Sequence, residues 1–122
     1  MGSHPVNLLL RFLLELAALG IIGYWGFKFT ESWYKYMLML AIPLLIATLW
    51  ATFAVPDDPS RSGNAPVPIS GMLRLILEFS FFGVALWALY DLSYPISAMI
   101  LGIIILTHYI VSYDRIIWLM KQ

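Results

Sequence analysis

The chain has 122 residues, of which 61% are hydrophobic and 11% charged. A soluble domain carries about 25% charged residues, so this chain has too little polar surface to face water on all sides. Seven basic and seven acidic residues cancel, which leaves no basic field for nucleic acid, and the lack of cysteine excludes disulfides, thiolate metal ligands and thiol chemistry.

Met1-Gly-Ser-His4 reads as an expression remnant, so residues 1–5 are set aside as a tail and residues 6–122 are taken as a single domain. No cleavable signal is evident, because the first apolar segment is too long and no small-residue cleavage site follows it. Four apolar segments fill the domain, at about 6–27, 34–55, 71–90 and 95–119. Each is about 20 residues or more, the length a helix needs to cross a hydrocarbon core of roughly 30 Å. Barrel strands would need about 10 residues of strict alternation, and no segment alternates. The expected fold is an all-α membrane protein with four transmembrane helices.

The connectors agree. Lys28 to Trp33 makes a short polar turn. Asp91-Leu-Ser93-Tyr94-Pro95 makes another, with Pro95 in the first turn of the fourth helix and Ser93 or Asp91 near its cap. Pro56 to Pro68 holds four prolines with Gly, Ser and Asn, the composition of an irregular, water-exposed loop. An even number of spans puts both termini and this loop on one side. That side has Arg11, Arg61, Arg74, Arg115 and Lys121, against Lys28 and Lys35 opposite, so it is assigned to the cytoplasm. Tyr24, Trp25, Trp33, Tyr34 and Tyr36 mark one interface and Trp118 the other.

Arg11-Phe-Leu-Leu-Glu15 and Arg74-Leu-Ile-Leu-Glu78 stand 63 positions apart, and the same offset aligns Gly20 with Gly83. Each motif opens a hairpin. The expectation is two tandem helical hairpins related by a pseudo-twofold axis along the membrane normal, although Pro43 falls opposite Leu106 and the second and fourth segments match poorly. Chance is the alternative, since two apolar segments share many letters.

Counted at 1.5 Å per residue, Glu15 and Glu78 lie about 12 to 14 Å into their helices and His108 about 10 Å before Arg115. Three titratable groups from three helices therefore share one layer in the cytoplasmic half. His108, Ser112 and Arg115 fall on one face of the fourth helix, and Tyr109 with Tyr113 on the adjacent one. Thr48, Trp50 and Thr52 reach the same half, and Pro43 is expected to kink the second helix. Within one helix, Arg before Glu is the poorer order, so cross-repeat pairs, Arg11 with Glu78 and Arg74 with Glu15, are expected instead.

Two readings of these residues stand side by side. Charges in a membrane are costly and mark functional sites, so Arg11, Glu15, Arg74, Glu78 and His108, with Ser112 and Arg115, are candidates for binding a proton, an ion or a small molecule. Tyr109 and Tyr113 would line the entry. The bland reading is an interhelical lock, with His108 bonded to a glutamate and Gly20, Gly23 and Gly26 serving close packing. A metal at His108, Glu15 and Glu78 is a weak signal, because arginines engage both carboxylates. No metal or cofactor is expected. There is no His-Glu-x-x-His, no Gly-x-Ser-x-Gly and no phosphate-cradling loop, so the chain is not expected to be an enzyme. The function expected is therefore a small transporter-like or ligand-binding membrane protein, with a structural or accessory subunit as the alternative. Its partners are the lipid bilayer, a small ligand or ion and, because four spans leave little room for a path, a second copy in a homodimer.

The residues Leu10-Arg-Phe-Leu-Leu-Glu15-Leu, Gly23-Tyr-Trp-Gly-Phe27, Pro43-Leu with Trp50, Arg74-Leu with Glu78-Phe, Phe82-Gly83, Ala88-Leu-Tyr90, His108-Tyr, Ser112-Tyr-Asp-Arg115 and Trp118-Leu resemble the YrdB-like family of small bacterial membrane proteins. The resemblance runs from Asn7 onward. It implies spanning helices in a bacterial inner membrane, and it carries no activity, substrate or catalytic residue.

Overall fold

Each long helix has to bury one stripe and can leave the rest to lipid. In the computed structural model, which describes residues 5–56 and 66–122, the chain is helical almost throughout. The elements are α1 (Pro5–Lys28), α2 (Lys35–Thr52), β1 (Phe53–Ala54), β2 (Val67–Pro68), α3 (Gly71–Asp91), α4 (Pro95–Val111) and α5 (Tyr113–Met120). α1, α2 and α3 are each long and apolar enough to cross a membrane, and α4 with α5 would make a fourth span if the bent pair is one.

The buried stripes show why α1 and α3 form the centre. On α1, Asn7, Arg11, Leu14, Ala18, Ile22 and Gly26 recur at steps of three and four. On α3, Gly71, Arg74, Glu78, Phe82, Ala85 and Ala88 do the same. Both stripes begin polar and continue apolar, so charge is gathered at one end of the bundle and hydrocarbon at the other. α1 packs on α2 and α3, and α3 packs on α4 and α5. α2 has no fully buried residue and lies on the flank.

Two glycines set the α1–α2 distance. A Cβ on Gly23 would stand 2.9 Å from the Met39 carbonyl oxygen, and one on Gly26 2.9 Å from that of Leu38. Both helices approach too closely for a side chain there. Gly20, on the same helix, has nothing within 4 Å of its Cβ position and serves no such contact.

The expected boundaries hold within three residues except at the fourth segment. There α4 ends at Val111, and α5 leaves at an angle of 68°. Ser112, with φ −97° and ψ 29°, caps α4 at its C-terminal end and opens α5. The single helix expected over 95–119 is therefore two. α2 runs from Lys35 to Thr52 with Pro43 inside it, so the break in the bundle lies at Ser112. α2 also stops three residues short of the expected Val55. Phe53 turns extended, Val55 precedes a proline and is biased away from helix, and Phe53–Ala54 pairs in parallel with Val67–Pro68. That bridge fastens the two ends of the central loop. Of the tail expected over residues 1–5, Pro5 opens α1 and residues 1–4 lie outside the described residues, as does most of the expected loop, including Arg61.

At the opposite end, Pro95 does stand in the first turn of α4, but the cap is Tyr94 and no side chain bonds there. Ser93 instead adopts φ 69°, the left-handed conformation that closes the α3–α4 turn. Asp91 accepts a hydrogen bond from the Trp25 indole at 2.8 Å, which ties the ends of α1 and α3 together. The lysines at this end, Lys28 and Lys35, rest over the rings of Tyr24 and Phe27 at 5.6 and 4.8 Å.

Candidate functional site

The polar ends of the two central stripes meet. Glu78, with 0% of its side chain exposed, is the focus. Arg11 on α1 makes an ion pair with it across the helix interface. Arg115 on α5 donates through Nη2 to both carboxylate oxygens, at 3.0 and 3.4 Å. One carboxylate thus holds two guanidinium groups from different helices, which is how a fully buried charge is made tolerable. Arg11 also reaches Glu15 on its own helix, Nε to Oε1 at 3.2 Å. The Arg11–Glu78 cross-pair expected from the sequence is formed, and Arg115 shares the same carboxylate.

Arg74 does a different job from its counterpart Arg11. Its Nη1 donates to the carbonyls of Trp50 and Phe53, both at 2.7 Å. Those carbonyls belong to the frayed C-terminal turn of α2, where backbone acceptors lack helical partners and a cation is favoured. The guanidinium also sits 4.3 Å from the centre of the Trp50 ring, and that of Arg11 lies 5.6 Å from it. Trp50 is thus the residue on which both motif arginines converge, and Phe81 closes on it at 4.7 Å. Thr48 and Thr52 reach this half of α2, but their hydroxyls donate to the carbonyls four residues back, at Leu44 and Thr48.

His108 is buried between α4 and α1, but its partner is Asn7, not a glutamate. Asn7 donates from its amide nitrogen to the Ser112 hydroxyl at 2.6 Å, so its Oδ1, 3.1 Å from His108 Nδ1, faces that ring as an acceptor. In this arrangement Nδ1 carries the proton and Nε2 is left as an acceptor. Nε2 is buried and makes no hydrogen bond among the described residues. Asn7 is the functional candidate that the sequence reading missed. The signal was there: Asn7 lies four residues before Arg11, on the stripe that leads to Leu14 and Ala18.

The remaining candidates divide. Ser112 and Arg115 are buried, as the face count requires, although the helix breaks between Val111 and Tyr113. Tyr109 is buried, with its ring against Phe79 and Phe82 at 5.0 and 6.2 Å. Tyr113 is 63% exposed. Both tyrosines line a groove of 720 Å³ between α3, α4 and α5, together with Gly83 and Gly102. A second groove, of 540 Å³, lies between α1 and α2 and is lined by Leu19, Gly20, Gly23, Met39 and Pro43 among others. With Tyr24 and Phe27 the second groove has seven lining residues; adding 63 gives Phe82, Gly83, Leu86, Trp87, Tyr90, Gly102 and Leu106, of which all but Trp87 and Tyr90 line the first groove. A small cavity of 60 Å³ adjoins Glu15, Trp50 and Phe81. Among the described residues no three His, Asp or Glu side chains come together as a metal set would require.

This is a helical chain with three or four apolar spans and a charged layer buried at one end, and the comparisons with known proteins agree on where it belongs. Residues 9–106 match the family model described as "Protein of unknown function (DUF2568)", and the chain belongs to that family. It is 46% identical over 121 residues to the uncharacterized protein YrdB of Bacillus subtilis (strain 168), covering 98% of this chain and 97% of that protein. No solved structure matches.

Proposed function

We propose that this chain is a four-span protein of the bacterial cytoplasmic membrane, with both termini and the central loop on the cytoplasmic side. In this reading it binds a small ligand at the layer formed by Arg11, Glu15, Arg74, Glu78, Arg115 and His108. The observation that carries the reading is His108 Nε2. A buried acceptor without a partner costs about 1–3 kcal/mol, and here the ring is held in place by Asn7. A second shell that orients an imidazole while leaving its other nitrogen open is the arrangement of a binding or proton-accepting group. The charges around it supply the complement. A ligand with a hydrogen-bond donor for Nε2 would satisfy that nitrogen. Ligand binding is preferred over transport because the charged layer lies at one end of the bundle and the core beyond it is apolar, from Ala18 and Ile22 on α1 to Ala85 and Ala88 on α3. The coincidence of the two grooves at an offset of 63 supports a tandem repeat of hairpins.

The competing reading is an accessory subunit in which the layer only locks helices. It is favoured by Glu78, whose carboxylate is fully engaged by Arg11 and Arg115. His108→Gln separates the two. Glutamine can still bond to Asn7 but has no Nε2. A thermal-shift panel of small anions, cations and amphiphiles, run in detergent, should contain a compound that stabilises the parent protein and not the variant. A panel without any such difference would leave the lock.

A further inference from the structure

Resting on the membrane reading above, we infer that α5 docks on the lipid surface. It lies in the cytoplasmic headgroup layer, with Tyr113, Ile117 and Met120 dipped into the acyl boundary, and α4 alone is the fourth span. α4 has 17 residues without Asp, Glu, Lys or Arg, within the range of about 17–25 that crosses a bilayer. α5 leaves it at 68°. With α4 along the membrane normal, that angle puts α5 nearer the membrane plane than the normal.

The eight residues of α5 present three faces. Arg115 and Leu119, four residues apart, are buried against the bundle. Tyr113, Ile117 and Met120, at steps of four and three, are each at least 47% exposed. Asp114 and Lys121 are exposed at a spacing of seven, and half-buried Trp118 falls on their side. A helix on a protein in water shows an apolar face to the core and a polar face to solvent. A helix continuing through hydrocarbon would turn Asp114 and Lys121 toward lipid tails, which is costly. Protein, apolar and polar faces side by side suit the boundary between acyl chains and water, where an in-plane helix buries its apolar side by about 5–10 Å. The Trp118 ring favours the same level.

The position of α5 on the bundle agrees. α3 begins at Gly71, capped by Ser70, and a Cβ at Gly71 would overlap the Leu119 carbonyl oxygen. α5 therefore crosses the end of α3, where that span meets the headgroups. From there Arg115 reaches Glu78, seven residues and about 10 Å further along α3. The arginine is the pin that holds the surface helix to the bundle. The outer stripe of α5 also continues the exposed stripe of α4, through Leu106 and Ile110.

The chain has no cysteine, so single cysteines carry spin labels without background. The full chain is placed in phosphatidylcholine–phosphatidylglycerol vesicles, and each label is read for access to oxygen, from lipid, and to NiEDDA, from water. The labelled variants are Tyr113→Cys, Ile117→Cys, Met120→Cys, Asp114→Cys and Lys121→Cys, all at exposed positions, with Ile103→Cys in the middle of α4 as the reference. The first three should share one depth to within about 3 Å, about 5–10 Å beneath the phosphates. Asp114→Cys and Lys121→Cys should be at least about fivefold more open to NiEDDA than those three. A depth that changes by about 10 Å from residue 113 to residue 120 would mean a continuing span and would overturn the inference. Uniform access to NiEDDA along α5 would overturn it in favour of a helix in water. Loss of access to both reagents at 117 and 120, with dipolar broadening, would overturn it in favour of a second copy on that face. Ile103→Cys separates the two levels of the account. If its label is open to NiEDDA, the membrane reading fails as well; if its label lies in lipid while α5 gives one of the contrary profiles, only the inference fails.

Discussion

α1 and α3 carry the same three landmarks at the same spacing, arginine, glutamate and glycine, and use them differently. In the first, Glu15 is 22% exposed and answers an arginine on its own helix; in the second, Glu78 is 0% exposed and gathers arginines from α1 and α5. Gly23 and Gly26 draw α1 onto α2, whereas the positions 63 later are Leu86 and Leu89; Gly20 and Gly83 are alike, each open at its Cβ position and each bordering a groove. α1 meets α2 at the backbone, and leucines stand at the matching positions of α3. Identical letters at one offset therefore do not make identical sites, because each partner set comes from the neighbouring helix.

The contrast can be broken first at the glutamates. Glu78→Ala removes the carboxylate that Arg11 and Arg115 share and should cost about 3–5 kcal/mol, the cost of breaking a buried pair from one side. Glu15→Ala, at a partly exposed intrahelical pair, should cost no more than about 1 kcal/mol. Denaturant unfolding in mixed micelles measures both, and equal losses would erase the distinction between the two helices.

The glycines come next. Gly23→Ala pushes a methyl to 2.9 Å from the Met39 carbonyl and should destabilise by about 1–3 kcal/mol. Gly83→Ala meets nothing and should stabilise by up to about 1 kcal/mol through helix propensity. Opposite signs in thermal unfolding are the expected outcome.

The last variant sharpens the layer. Asn7→Ala strips His108 Nδ1 and Ser112 Oγ of their bond and should cost about 1–3 kcal/mol. Asn7→Ala should also broaden the His108 imidazole resonances, since nothing else among the described contacts fixes that ring's hydrogen bonding. An unchanged spectrum would remove Asn7 from the site.

Much of this was legible in the residues. Apolar length placed the ends of the first three helices to within three residues, because a long apolar helix ends where polar residues begin. The count of 1.5 Å per residue put Glu15, Glu78 and His108 in one layer; both glutamates do meet Arg11 there, but His108 bonds to Asn7 and not to a glutamate. Three features were not legible. The break at Ser112 carries no proline or glycine, so only tertiary contacts of α5, through Arg115 and Leu119, reveal it. Arg74 chose backbone carbonyls, which have no letter in a sequence. His108 chose an uncharged amide, and a search for charged partners passes over Asn7.

All of this turns on one claim, that Glu78 joins the helices by holding arginines from two of them. A double-mutant cycle between Arg115 and Glu78, each replaced by Gln alone and together, reads that claim directly from unfolding free energies. Residues in one ion-pair network couple by about 0.5–3 kcal/mol. With both side chains buried and the contact at 3.0 Å, a coupling of at least about 1.5 kcal/mol is expected. Single-mutant losses that add within about 0.5 kcal/mol would contradict it.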